Sequence, residues 1–245
     1  MNYELSPYGA IIIVVLAIMA GVVYWWVDPN IFKRLRKPVG LLVLQLLIAG
    51  GYTWGLYQLH AWWASLVWLL LMTGASAWVA LVKAHERQWQ KLLPLFVGLL
   101  VGVSVVSFSL LLSLKGLPSR LMIVVVAAVV LHQLTDACAA SLKVFEASLR
   151  HTVSHRQYLL ANGATPLEML MPSIRRALRA TVVPQFGTVK VSSLVIMPLL
   201  TGGLLIGGVQ PLPAIAISAL MIVAVFAASV LSTVLMLVVH HYYIK

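Results

Sequence analysis

Residues 211–239 read PLPAIAISALMIVAVFAASVLSTVLMLVV, without one charged side chain. A bilayer core is about 30 Å thick and takes about 20 apolar helical residues to cross. No face of this stretch is polar enough to meet water, so it reads as a span whose surroundings are lipid and other helices. Ala224, Ala228 and Ser232 fall four apart on one face, a spacing that lets helices approach closely.

Further apolar runs lie at Tyr8–Val27, Pro38–Leu59, Ala61–Val82, Leu92–Leu114, Pro118–Leu142 and Pro184–Gly208. The second and third runs almost touch at His60, which calls for a very tight hairpin. Gly51 and Gly55, and Gly98 and Gly102, repeat the four-residue spacing of small side chains, chiefly for packing within one bundle. Composition agrees: 62% of the 245 residues are hydrophobic and 9% charged, with mean hydropathy +1.00. Soluble domains carry about 25% charged residues. The expected fold is therefore all-α, a polytopic membrane helix bundle of about seven transmembrane helices forming one domain over residues 1–245. Met1–Pro7 lacks the cationic start of a signal peptide, so the first run is expected to be retained as a span.

Lys and Arg orient the spans. Lys33, Arg34, Arg36 and Lys37 follow the first run, and Lys83, Arg87 and Lys91 follow the third. Lys143, Arg150, Arg156, Arg175, Arg176, Arg179 and Lys190 surround the segment between the fifth and sixth, and Lys245 ends the chain. Only Lys115 and Arg120 lie on the other side. The positive-inside rule then predicts the amino terminus outside, the carboxyl terminus inside and an odd number of crossings. The net charge of +11 is spent on topology, and nucleic acid is not an expected partner. A cell membrane, inner or plasma, is the expected location.

The segment from about 143 to 183 is the most specified part of the chain. Asn162 and Gly163 supply a helix stop, after a helix extending the fifth span through Phe145–Ala161. Thr165 is placed as an N-cap, Pro166 as the first helical residue and Glu168 three after the cap, a capping box. Pro172 is expected to break this second helix after about two turns. A third, interfacial helix follows, with Ile174, Ala177, Leu178, Thr181 and Val182 on one face and Arg175, Arg176 and Arg179 on the other. A short rigid helix at Gly163, Ala164, Thr165, Pro166 and Glu168 suits docking of a cytoplasmic partner.

Ionisable groups inside spans are costly and mark function. Asp136 and Lys190 sit at matching depth and are expected to pair or to share a polar vestibule. His132, four before Asp136 on the same helix face, and Gln133 complete the transport-pathway candidates. Asp136 with His132 also suits a proton relay, which would make the chain a proton-coupled secondary transporter. One cysteine, Cys138, excludes an internal disulfide and any multi-cysteine metal site. His85, His151, His155, His240 and His241 read as solvated polar residues. No nucleophile elbow, zinc helix motif or paired carboxylates suggest an enzyme. No Gly-rich phosphate loop occurs, so the chain carries no cofactor or ATP site of that kind.

Asn162-Gly163-Ala164-Thr165-Pro166, Ile174-Arg175-Arg176-Ala177-Leu178 and Pro184 resemble the FetB-type family of iron-export ABC transporter permeases. Lys190, Leu194, Val195, Pro198, Gly202 and the span from Pro211 continue the resemblance, which covers roughly residues 130–240. His132 and Gln133 stand where that family typically shows Gly-Asn. The resemblance implies a permease without its own ATPase, working as a pair of permeases with two ATPase subunits that bind ATP and Mg. The turn at 163–172 would then be the coupling helix, and a metal ion such as iron the exported cargo.

Overall fold

A computed structural model describes residues 11, 12, 15, 18, 19, 21, 22, 26, 29–59, 62–86, 88–113 and 119–243. The described residues are helices joined by short turns, with no strand among them. The chain is an all-helical membrane bundle. It divides into two units, Met1–His60 and Ala61–Lys245.

The first unit contains α1, Pro29–Leu59. It begins nine residues before the expected span at Pro38, so Lys33, Arg34, Arg36 and Lys37 are helical rather than loop residues. Pro29 fits the first helical position, and Lys and Arg are good helix formers, so nothing local stops the helix there. Leu42, Leu46 and Leu47 are more than half exposed, as suits a surface bathed in lipid. The Thr53 hydroxyl returns to the Ala49 and Gly50 carbonyls at 3.0 and 2.9 Å, so it is satisfied within the helix.

The second unit contains α2 (Trp62–Lys83), a 3₁₀ turn (Trp89–Lys91), α3 (Leu92–Ser113), α4 (Ser119–His151), α5 (Val153–Ala161), α6 (Pro166–Ile206) and α7 (Pro211–Tyr243). Three described stretches are long and apolar enough to cross a bilayer by length and composition: Trp63–Lys83, Trp89–Ser109 and Pro211–Tyr243. Val39–Gly55 and Leu194–Ile206 are shorter apolar pieces of α1 and α6. The helices α4 and α6 carry charges near one end and run on past their apolar portions.

At the centre, α4 packs against α2, α3, α6 and α7. Val130, Leu134, Cys138, Leu142 and Phe145 of α4 are almost wholly buried. The closest crossing joins α3 and α7, which run antiparallel. A side chain at Gly98 would lie 2.7 Å from the Ser232 carbonyl oxygen, and one at Gly102 would overlap the Ser232 hydroxyl. The four-residue spacing of Gly98 and Gly102 thus serves packing within one bundle, whereas Gly51 and Gly55 meet nothing within 4 Å. Hydrogen bonds fasten other pairs, as lipid offers no water to replace them. Thr181 of α6 donates to the Ala137 carbonyl of α4 at 3.2 Å. Between α6 and α7, Ser229 donates to Gln185 at 2.6 Å and Thr201 to Ser218 at 3.1 Å.

Pro172 does not end a helix. α6 runs unbroken through Pro172, Pro184 and Pro198 for 41 residues, so the separate short helix, interfacial helix and sixth span expected from the sequence are one rod. Proline removes one donor and crowds the preceding turn. All three lie on exposed faces, while Leu170, Ser173, Ala177 and Thr181 are buried. The last three, four apart, form a small-residue seam packed along α4, and this packing outweighs the local defect. α4, conversely, stops at His151 instead of continuing to Ala161. The Thr152 hydroxyl bonds back to the Ser148 carbonyl at 2.7 Å, and α5 restarts at Val153.

Candidate functional site

The turn between α5 and α6 is fixed from both sides by local chemistry. Gly163 adopts φ 81°, a conformation that costs other residues their Cβ clearance. Its N–H donates to the Leu160 carbonyl at 3.1 Å, and that of Ala164 to the Leu159 carbonyl at 3.0 Å. These two bonds are a Schellman closure of α5. Across the turn the Thr165 hydroxyl accepts from the Glu168 N–H at 3.3 Å, and the Glu168 carboxylate accepts from the Thr165 N–H at 2.8 Å. Pro166 is the first residue of α6. The Thr165 backbone N–H, and next its hydroxyl, hold the Glu168 carboxyl below the usual carboxylate range. Gly163, Thr165 and Glu168 are exposed and Ala164 partly so. The docking residues read from the sequence therefore form one rigid, outward corner.

Behind that corner, Arg175 and Arg179 point outward. Arg176 is exposed yet reaches the Ser148 hydroxyl at 3.3 Å, and Ser148 also bonds Ser173 at 2.9 Å. The amphipathic pattern is real, but its apolar face packs on α4 rather than lying on a membrane surface.

The partner of Asp136 is Lys83, the last residue of α2, at 2.6 Å with both side chains about half exposed. The Lys190 side chain lies outside the described residues. The expected pairing of Asp136 with Lys190, or a vestibule shared by them, therefore falls outside the described residues; what is described is that Asp136 turns toward Lys83 at the end of α2. His132 is exposed on the same face of α4 as Asp136, and Gln133 is partly buried beside it. A half-exposed ion pair and a histidine thus share an outward strip of the central helix. Bare lipid is a poor surrounding for such groups.

A second polar centre was not foreseen. Lys91 is 3% exposed, although the sequence placed it in a topology-setting loop. Its ammonium donates to Glu86 at 2.8 Å and to Glu146 at 2.7 Å. The same Glu146 oxygen lies 2.9 Å from His240 Nε2, and Arg150 meets the other Glu86 oxygen at 2.6 Å. His240, read as solvated, is buried and stacks edge-on against Phe145. Burial would raise the Glu146 carboxyl, but the hydrogen bonds from His240 and Lys91 and the Lys91 charge outweigh it and hold it down to about 2. Glu146 is therefore an ionised acceptor, and His240 Nε2 must be the donor.

The Glu86 arm depends on His85, whose φ of 59° closes α2. The N–H groups of His85 and Glu86 cap the Val82 and Leu81 carbonyls at 3.0 and 3.3 Å. One signal for this centre was available: the chain holds only six carboxylates against 17 Lys and Arg. Each of the four described ones, Glu86, Asp136, Glu146 and Glu168, is engaged. Among the described residues no three His, Cys, Asp or Glu gather as a metal site would need.

Comparison with curated proteins and with solved structures returned no match. The profile of one family matches residues 8–243, nearly the whole chain. The chain belongs to the uncharacterised protein family UPF0014.

Proposed function

We propose that this membrane protein is the permease subunit of an ABC transporter, driven by a separate cytoplasmic ATPase. The observation that carries the reading is the exposed corner at Gly163–Glu168. It is stiffened by a Schellman closure on one side and a capping box on the other. A passive connection between two helices needs neither device; a surface that must bear force does. The corner sits at the cation-rich end of the bundle, the cytoplasmic end by the positive-inside rule. The FetB-like residues from Asn162 to Pro166 support the same assignment.

The permease works as a pair of copies with two ATPases that bind ATP and Mg. The strip carrying His132, Asp136 and Lys83 lines the passage between copies, where its charges meet water rather than lipid. The cargo is a metal ion such as iron, moved outward, a reading that rests on the family resemblance. A single copy offers His132 and Asp136 alone on that strip, too few for a closed transition-metal site, and two facing copies double the set. The competing reading, a proton-coupled secondary transporter using His132 and Asp136, would leave the stiffened corner at Gly163–Glu168 without a task.

The test is co-purification from detergent of the intact chain with its ATPase, alongside Gly163→Pro. Proline cannot adopt φ 81° and has no N–H for the Leu160 carbonyl, so the corner collapses while the bundle stays. Loss of the ATPase from the variant alone supports the docking assignment. An intact chain that binds no ATPase refutes it.

A further inference from the structure

We propose that the buried cluster of Glu86, Lys91, Glu146 and His240 is a transmission clamp. Through it, displacement of the docking corner reaches α3 and α7; this rests on the permease reading above.

The placement carries the inference. Glu146 and Arg150 are one turn apart on α4, and three residues beyond Arg150 the chain enters the α5 segment that ends in the corner. From Glu146, one carboxylate oxygen reaches Lys91, in the 3₁₀ turn that leads into α3, and His240 at the end of α7. Lys91 continues to Glu86 beyond α2, and Glu86 returns to Arg150. The bonds thus close a ring that begins and ends on α4 and takes in the ends of α2, α3 and α7. α6 is fastened separately by Ser148, Ser173 and Thr181.

Cohesion alone does not require such a ring. Burying charges is costly, and apolar residues of similar volume commonly hold a fold as well or better. What ions supply is direction: an ammonium between two carboxylates tolerates one register, whereas apolar contacts slide. Beyond the cluster, Gly98 and Gly102 leave no slack between α3 and α7. A shift imposed at Glu146 is therefore passed to both helices together and along their length. Glu146, Lys91 and His240 are positioning residues in this scheme; none touches cargo.

The experiment uses the chain reconstituted with its ATPase and carrying one spin label, at Phe108→Cys on α3 or, in a second preparation, at Leu212→Cys on α7, so that each distance is read between the two copies of the permease. Both positions are exposed and lie away from the cluster, and the native Cys138 is fully buried. Distances are recorded without nucleotide and with ATP and vanadate. The parent chain shows an ATP-dependent shift. Lys91→Met/Glu146→Leu removes the buried charges as a pair and leaves Glu86 with Arg150; it keeps the ATPase bound and loses the shift. His240→Leu spares the Lys91–Glu146 pair and reduces the shift by freeing α7. Lys91→Arg, which keeps the charge, retains it. An unchanged shift in either of the first two variants overturns the clamp and leaves the permease reading intact. A parent chain that binds no ATPase overturns both, and one that binds it without any shift overturns the clamp alone.

Discussion

Replacing Gly98 by alanine tests the close approach of the α3 and α7 backbones. The new methyl carbon would stand 2.7 Å from the Ser232 carbonyl oxygen, 2.9 Å from Met236 Cβ and 3.2 Å from Met236 N. Ordinary van der Waals contact begins at 3.4 Å, so the deficit against the carbonyl is 0.7 Å. That oxygen belongs to the backbone of α7 and cannot rotate away; α3 and α7 must part by a similar distance. Overpacking of this kind costs about 1–3 kcal/mol, and a clash with backbone belongs at the upper end. Alanine returns roughly 1 kcal/mol through its better helix propensity, leaving a net loss of about 2 kcal/mol. Gly102→Ala meets the movable Leu134 and Ser232 side chains and should lose less. Gly51→Ala and Gly55→Ala meet nothing within 4 Å and should gain up to about 1 kcal/mol. Equilibrium unfolding in mixed detergent micelles, followed by the eight tryptophans, ranks the four variants. If Gly98→Ala proves as stable as the parent, or no worse than Gly51→Ala, the close α3–α7 crossing is wrong.

Three further outcomes follow from the polar groups. The Glu146 carboxyl, held at about 2 against an ordinary 4.5, contributes stability that is complete above pH 4.5 and lost as pH falls toward 2. Melting temperatures across that window should fall less steeply in Glu146→Gln than in the parent, and equal slopes would show that Glu146 is not held by its partners. His85→Gly removes a side chain from φ 59°; after the entropy cost of glycine, a gain of up to about 1 kcal/mol is expected, and any loss in a chemical melt contradicts the strained turn. For Lys83 and Asp136, Lys83→Met combined with Asp136→Asn should destabilise less than the two single changes summed. Strict additivity in that double-mutant cycle would deny the pair.

What the sequence made legible was local. The capping box could be read because Thr165 and Glu168 are three apart and the chemistry of that spacing needs no tertiary help. The apolar runs could be read because lipid imposes a length. Pro172 misled because the rule that proline ends helices takes no account of the seam at Ser173, Ala177 and Thr181 against α4. The Lys83–Asp136 pair was missed because depth along a helix is legible in sequence and direction around it is not. The Glu146–His240 contact joins residues 94 positions apart, which no periodicity announces. Lys91 looked like a topology charge because it sits between apolar runs, and only the fold brings two carboxylates to it.

The continuity of α6 has a mechanical side. At 1.5 Å per residue its 41 residues make a rod of about 60 Å, twice the depth of a bilayer core. The rod changes neighbours along its length: it is pinned to α4 through Thr181, and to α7 from Gln185 onward. Pro184 stands between the two sets of bonds, where the helical ladder already lacks a donor. Any twist of α4 against α7 therefore falls on the stretch around Pro184, which gives the rod a flexure point between its two sets of bonds.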